Sequence, residues 1–217
     1  MTPKHIVQQK ILECGLIPVI RTKSADQARA VADAVARGGA PLLEITLTVP
    51  GALEIIRELA SGIGNRVVIG AGTVLDGYTA RQAILAGAEF IIAPTLDAET
   101  IQVCHRYNTL VIPGAMTPTE ILRAWEAGAG FVKVFPADLV GGPRFIKAVK
   151  APLPQIEMVP TGGIDVSNAA DYIAAGAAAV GVGSGLIDPR AIAKKEFDRI
   201  TGQTEEFLQL IRAARGG

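Results

Sequence analysis

A helix-ending glycine followed by alanine and then a strand-like run recurs at long, nearly regular intervals, as Gly39-Ala40, Gly87-Ala88, Gly128-Ala129 and Gly176-Ala177. The intervals are 48, 41 and 48 residues, each the length of two strand-plus-helix units. Every pair follows a helix-like amphipathic stretch and precedes a short β-branched run. Glycine suits the left-handed position that ends a helix, so the four glycines set a common register for the strands that follow them. Eight such runs read as strands: Leu16 to Ile20, Leu42 to Leu47, Val67 to Ala71, Phe90 to Ala93, Leu110 to Pro113, Phe131 to Phe135, Glu157 to Pro160 and Ala179 to Gly183. Strands this hydrophobic, alternating with helical patterns, imply a parallel sheet covered by helices. Eight βα units in about 200 residues predict an α/β fold of the (β/α)8 TIM barrel type, one domain over residues 1–217, with an extra N-terminal helix from Pro3 to Cys14 closing the bottom. Helix starts are marked by capping-box spacings at Ser24 with Gln27 and at Thr117 with Glu120, the second with Pro118 at the first helical position.

The register has a chemical consequence. Five residues beyond the four glycines lie Glu44, Ile92, Lys133 and Gly181, and alternate strands of such a barrel contribute to the same interior layers. Leu43, Ile45 and Leu47 form an apolar set that suits the helices, which leaves Glu44, Thr46 and Thr48 for the interior. By the same alternation Val132 and Val134 face the helices and Lys133 faces in. Glu44 and Lys133 are therefore predicted in one layer on opposed strands, with Gly181 leaving room. Burial of Lys133 within Phe131-Val132-Lys133-Val134-Phe135-Pro136 favours a neutral amine, a nucleophile towards carbonyls. A buried ion pair is the structural alternative, but two buried charges cost several kcal/mol.

Glycine-rich runs follow the last two predicted strands, Thr161-Gly162-Gly163-Ile164-Asp165 and Gly181-Val182-Gly183-Ser184-Gly185. Glycines let backbone N–H groups approach an anion, and these two loops are the usual phosphate site of this fold. A third run, Gly70-Ala71-Gly72-Thr73, offers a hydroxyl at the same rim, and Arg21 offers a cationic fork suited to a carboxylate. A lysine that forms an imine with a 2-oxo acid, a carboxylate that moves protons and a clamp for a distant phosphate amount to metal-free aldolase chemistry.

Composition excludes other classes. Lys plus Arg equals Asp plus Glu at 21 each, so nothing invites a nucleic acid. No apolar stretch approaches the roughly 20 residues of a membrane span, and the start Met1-Thr2-Pro3-Lys4-His5 lacks the apolar core of a secretory signal, pointing to the cytoplasm. Cys14 and Cys104 read as buried thiols. With His5 and His105 they converge on no plausible metal site, and no cofactor is expected.

The strings Leu43-Glu44-Ile45-Thr46-Leu47-Thr48, Gly70-Ala71-Gly72-Thr73-Val74-Leu75, Ile112-Pro113-Gly114, Phe131-Val132-Lys133-Val134-Phe135-Pro136-Ala137 and Pro160-Thr161-Gly162-Gly163-Ile164 resemble the bacterial 2-dehydro-3-deoxy-phosphogluconate aldolase family, which includes 4-hydroxy-2-oxoglutarate aldolase activity. The resemblance covers almost the whole chain. It implies a class I aldolase of the Entner-Doudoroff route yielding pyruvate and glyceraldehyde 3-phosphate, and a homotrimer. It also implies that Lys133 is the Schiff-base lysine and Glu44 the acid/base, that Thr73 contacts the pyruvate moiety, that Pro94, Phe135 and Thr161 line the pocket, and that Gly162, Gly163, Gly183 and Ser184 bind phosphate. One position departs from the pattern: Thr48 stands where many members carry a carboxylate-binding arginine. Arg21, after the first strand, takes over that role as it does in other members. Since related 6-phosphogalactonate aldolases also use an arginine there, the same chemistry on 2-dehydro-3-deoxy-6-phosphogalactonate or on 4-hydroxy-2-oxoglutarate is the near alternative. A non-catalytic phosphosugar-binding barrel is the alternative from another class, and the Glu44–Lys133 pair argues against it.

Overall fold

The computed structural model describes residues 2–64 and 66–216. The chain runs α1 (Lys4–Cys14), β1 (Leu16–Ile20), α2 (Ala25–Arg37), β2 (Leu42–Thr46), α3 (Ala52–Gly62), β3 (Val68–Gly72), α4 (Gly77–Ala86), β4 (Phe90–Ile92), α5 (Ala98–Arg106), β5 (Leu110–Ile112), β6 (Gly114–Ala115), α6 (Pro118–Glu126), β7 (Val132–Val134), α7 (Pro143–Lys150), β8 (Met158–Pro160), α8 (Ala169–Ala174), β9 (Val180–Val182), α9 (Pro189–Ala193) and α10 (Phe197–Ala214). The result is an α/β fold of parallel strands, one sheet ordered β5-β4-β3-β2-β1-β9 and another ordered β6-β7-β8.

The strand expected over Leu110 to Pro113 is β5, which ends at Ile112, and a further short strand, β6, follows at Gly114. Proline has no N–H to give to a ladder, and at Pro113 the chain changes partner: β5 pairs with β4, whereas Gly114 of β6 pairs with Lys133 of β7. The Pro113 carbonyl still accepts the Lys133 N–H at 2.8 Å. At the other junction a single parallel bridge, Thr161 with Gly181, connects the end of β8 to β9.

Alternation divides the strand side chains as expected. Leu43, Ile45, Val132 and Val134 join the large cluster that packs the sheets on the helices. Ile17, Leu42, Val68, Phe90, Ile92, Leu110, Phe131 and Val159 form a second cluster on the opposite, inner face. Helix α1 drives Val7 and Ile11 into this inner cluster and ends at Gly15, whose φ of 73° is left-handed. The four repeat glycines, Gly39, Gly87, Gly128 and Gly176, all have φ between 88° and 111°, the conformation their helix-ending place demands.

The two capping boxes differ. Thr117 and Glu120 form both reciprocal bonds. Ser24 accepts from the Gln27 N–H, but the Gln27 side chain accepts from Lys23 rather than from Ser24. Cys104 is buried and Cys14 half-buried, both as free thiols. Among the described residues no helix is long and apolar enough to cross a membrane.

Candidate active site

Glu44 and Lys133 are both on the inner face, with only 1% and 6% of their surface exposed. Their strands hold them there: Glu44 sits between Val19 of β1 and Gly70 of β3 in the ladder, and Lys133 between Gly114 of β6 and Val159 of β8. Burial raises the affinity of Glu44 for its proton, and the positive charges of Lys133 and Arg21 partly offset that. Among the described residues no ion pair joins Glu44 to Lys133. Glu44 Oε1 has no hydrogen-bond partner at all. A buried carboxylate oxygen without a partner is costly, and a pair built for stability would have closed. The carboxylate and the amine are thus buried on one face without bonding to each other.

A cavity of about 410 Å³ is walled by Arg21, Phe135, Thr161, Gly162, Gly163, Gly183 and Ser184 among others. Seven of the expected site residues thus share one cavity. Lys133 is not in its lining, but Lys133 Nζ lies 5.2 Å from the ring centroid of Phe135, a wall residue. Glu44 lies one ladder step from Val19, another wall residue. Thr73 and Pro94 do not line this cavity. Thr73 follows Gly72, which packs directly on the Glu44 carboxylate, and the Pro94 carbonyl packs on Gly114, the ladder partner of Lys133. Thr73 has φ 59°, a left-handed conformation unusual for a β-branched residue and characteristic of strained functional positions.

At the glycine loops, Gly162 and Gly163 have φ of 105° and 66°. Among the described residues, the backbone N–H groups of Gly162, Gly163 and Ser184 donate to no protein acceptor, so three donors remain for an anion. Arg21 is exposed to the cavity, and among the described residues its guanidinium forms no hydrogen bond or ion pair. Gly181 does not leave the room expected of it, because the Thr161 hydroxyl already fills the place of a Cβ there.

Sequence reasoning passed over two contributors. Asp165 lines the cavity; its place after Gly162-Gly163-Ile164 was visible but carried no chemical signal. Asp138 packs its side chain on Gly163, a contact between loops that no local pattern announces.

The chain matches the family described as KDPG and KHG aldolase over residues 7–203. It is 34% identical to 2-dehydro-3-deoxy-phosphogluconate aldolase of Haemophilus influenzae, with 97% of this chain and 99% of the relative covered. A solved structure described as native KDPGal superposes with a TM-score of 0.86 at 34% identity, over 93% of this chain and 96% of the other. The KDPG aldolase of Legionella pneumophila, with pyruvate captured as a covalent carbinolamine, superposes with a TM-score of 0.85 at 30% identity, over 94% and 97%. Full-length similarity of this kind places the chain in the KDPG and KHG aldolase family.

Proposed function

We propose that this chain is a class I aldolase that cleaves 2-dehydro-3-deoxy-6-phosphogluconate to pyruvate and glyceraldehyde 3-phosphate. The observation that carries the reading is the unclosed pair of Glu44 and Lys133, buried together with Glu44 Oε1 unpartnered. The Lys133 amine adds to C2 of the 2-oxo acid, and loss of water gives the protonated imine. The imine accepts the electrons of the breaking C3–C4 bond while Glu44 takes the proton of the C4 hydroxyl, releasing the aldehyde. Protonation of the enamine at C3 and hydrolysis then free pyruvate and the lysine. Arg21 pairs with the substrate carboxylate, Thr73 contacts the pyruvate moiety, Pro94, Phe135 and Thr161 shape the pocket, and Gly162, Gly163, Gly183 and Ser184 hold the phosphate. The scheme calls for no metal and no cofactor.

The two sheets, joined through Pro113 and the Thr161–Gly181 bridge, are read as one (β/α)8 barrel forming a single domain, with α1 as an extra helix at its N-terminal end. A cytoplasmic homotrimer accompanies this reading.

Borohydride reduction in the presence of pyruvate, followed by peptide mapping, tests it. The adduct is expected on Lys133, and Lys133→Ala should abolish both adduct and turnover. An adduct elsewhere, or activity surviving the substitution, rules the scheme out. A second reading, cleavage of the C4 epimer 2-dehydro-3-deoxy-6-phosphogalactonate, is favoured by the arginine at position 21 in combination with Thr48. Comparison of kcat/KM for the two epimers decides between them.

A further inference from the structure

A chain of hydroxyl groups runs from the exposed Thr48 to the peptide that precedes Arg21. Thr46, fully buried at the end of β2, donates its hydroxyl hydrogen to the Ile20 carbonyl at 3.2 Å. The hydroxyl oxygens of Thr46 and Thr48 are 2.9 Å apart. A hydroxyl has one hydrogen to donate. With that of Thr46 directed at Ile20, the hydrogen between the two threonines comes from Thr48, and the chain is polarised from Thr48 through Thr46 to Ile20.

Two consequences follow from this polarity. The Ile20 carbonyl lies in the same rigid peptide plane as the Arg21 N–H, so the bond from Thr46 sets the direction in which Arg21 leaves β1. It adds a side-chain grip one residue beyond the last backbone pairing of the two strands, Ile20 with Ile45. The Thr48 oxygen, for its part, keeps only lone pairs and cannot donate to a carboxylate while the chain is intact. Thr48 is thereby turned into a support for an arginine on the neighbouring strand.

We propose that Thr46, backed by Thr48, is the positioning residue for Arg21 and aims its guanidinium at the carboxylate of the 2-oxo acid. The inference rests on the reading of Arg21 as the carboxylate ligand, and the experiment separates the two. The readout is the pyruvate concentration that gives half-maximal borohydride trapping, with inhibition of turnover by inorganic phosphate as a control at the opposite end of the site. Arg21→Ala should raise the half-saturating concentration; an unchanged value overturns the role of Arg21 itself and the inference with it. Thr46→Val, which leaves the Ile20 carbonyl without its donor, should raise it about five- to tenfold and leave phosphate inhibition unchanged, while Thr46→Ser restores it. In an Arg21→Ala background Thr46→Val should add nothing. An equal loss in both backgrounds, or phosphate inhibition weakening in step, makes Thr46 a packing residue and overturns the inference. Where Thr46→Val does not fold, Thr48→Val at the exposed rim decides. A rise of about twofold that disappears in the Arg21→Ala background supports the chain, and no change overturns it.

Discussion

The Glu44 carboxylate occupies the space that a Cβ on Gly72 would need, so the missing side chain of one residue is the seat of the other. Gly72 stands at the end of β3, paired in register with Thr46, and its backbone forms the wall against which the acid is held.

Gly72→Ala is therefore expected to displace the carboxylate without unfolding the protein. Turnover should fall by about 100-fold or more, the loss that a misplacement near 1 Å can cause, with the far-UV circular dichroism spectrum unchanged. Adding Glu44→Asp, which shortens the acid by one methylene, should recover part of that loss. A double variant no faster than Gly72→Ala alone would remove crowding as the cause.

Glu44→Gln should leave pyruvate trapping largely intact and lower turnover by about 10²- to 10⁴-fold. Its effect on stability depends on pH. Burial raises the proton affinity of Glu44 in the folded state, so the stability this group contributes is complete below the unfolded carboxylate value of about 4.3 and is lost as pH rises through the folded value. The glutamine variant carries no such pH-dependent loss. Its Tm relative to wild type should be higher at pH 8 than at pH 4, and thermal melts at the two values check the sign.

Thr73→Gly separates strain from function. A left-handed threonine costs about 1–2 kcal/mol and glycine costs about 0.5–1 kcal/mol in chain entropy. The variant should gain about 0.5–1 kcal/mol, which raises Tm by roughly 1–4 °C for a chain of this size. Half-saturating pyruvate should meanwhile rise several-fold, because the hydroxyl proposed to contact the pyruvate moiety is lost. A fall in both Tm and pyruvate affinity would point to a packing role instead.

Gly163→Ala places a Cβ against the Asp138 side chain and forces alanine to φ 66°. Inhibition by inorganic phosphate should weaken about tenfold or more, since the loop donors must shift. Cleavage of 4-hydroxy-2-oxoglutarate, which has no phosphate, should change far less. Equal losses on both substrates would take the loop out of phosphate binding.

Much of this was legible before folding. The four repeat glycines placed Glu44 and Lys133 on inward positions of their strands, because a period of two and a left-handed helix end are local properties that residue types announce. The two glycine loops were legible for the same reason. Pro113, by contrast, read as the end of a strand, and only the competition between two ladders revealed that the chain changes partner there and continues into β6. Gly181 was expected to leave space, but Thr161 arrives from the neighbouring strand to fill it.

By itself the sequence determined the alternation of strands and helices, which faces are apolar, and which charged residues are forced inward. Only the tertiary structure decided how those residues meet. Glu44 and Lys133 do not close into an ion pair, Gly72 supplies the seat for the acid, and two threonines tie β2 to the carbonyl before Arg21. Periodicity sets the direction of a side chain relative to its own strand, whereas the distance between groups on different strands depends on ladder register and on the volume of what lies between them.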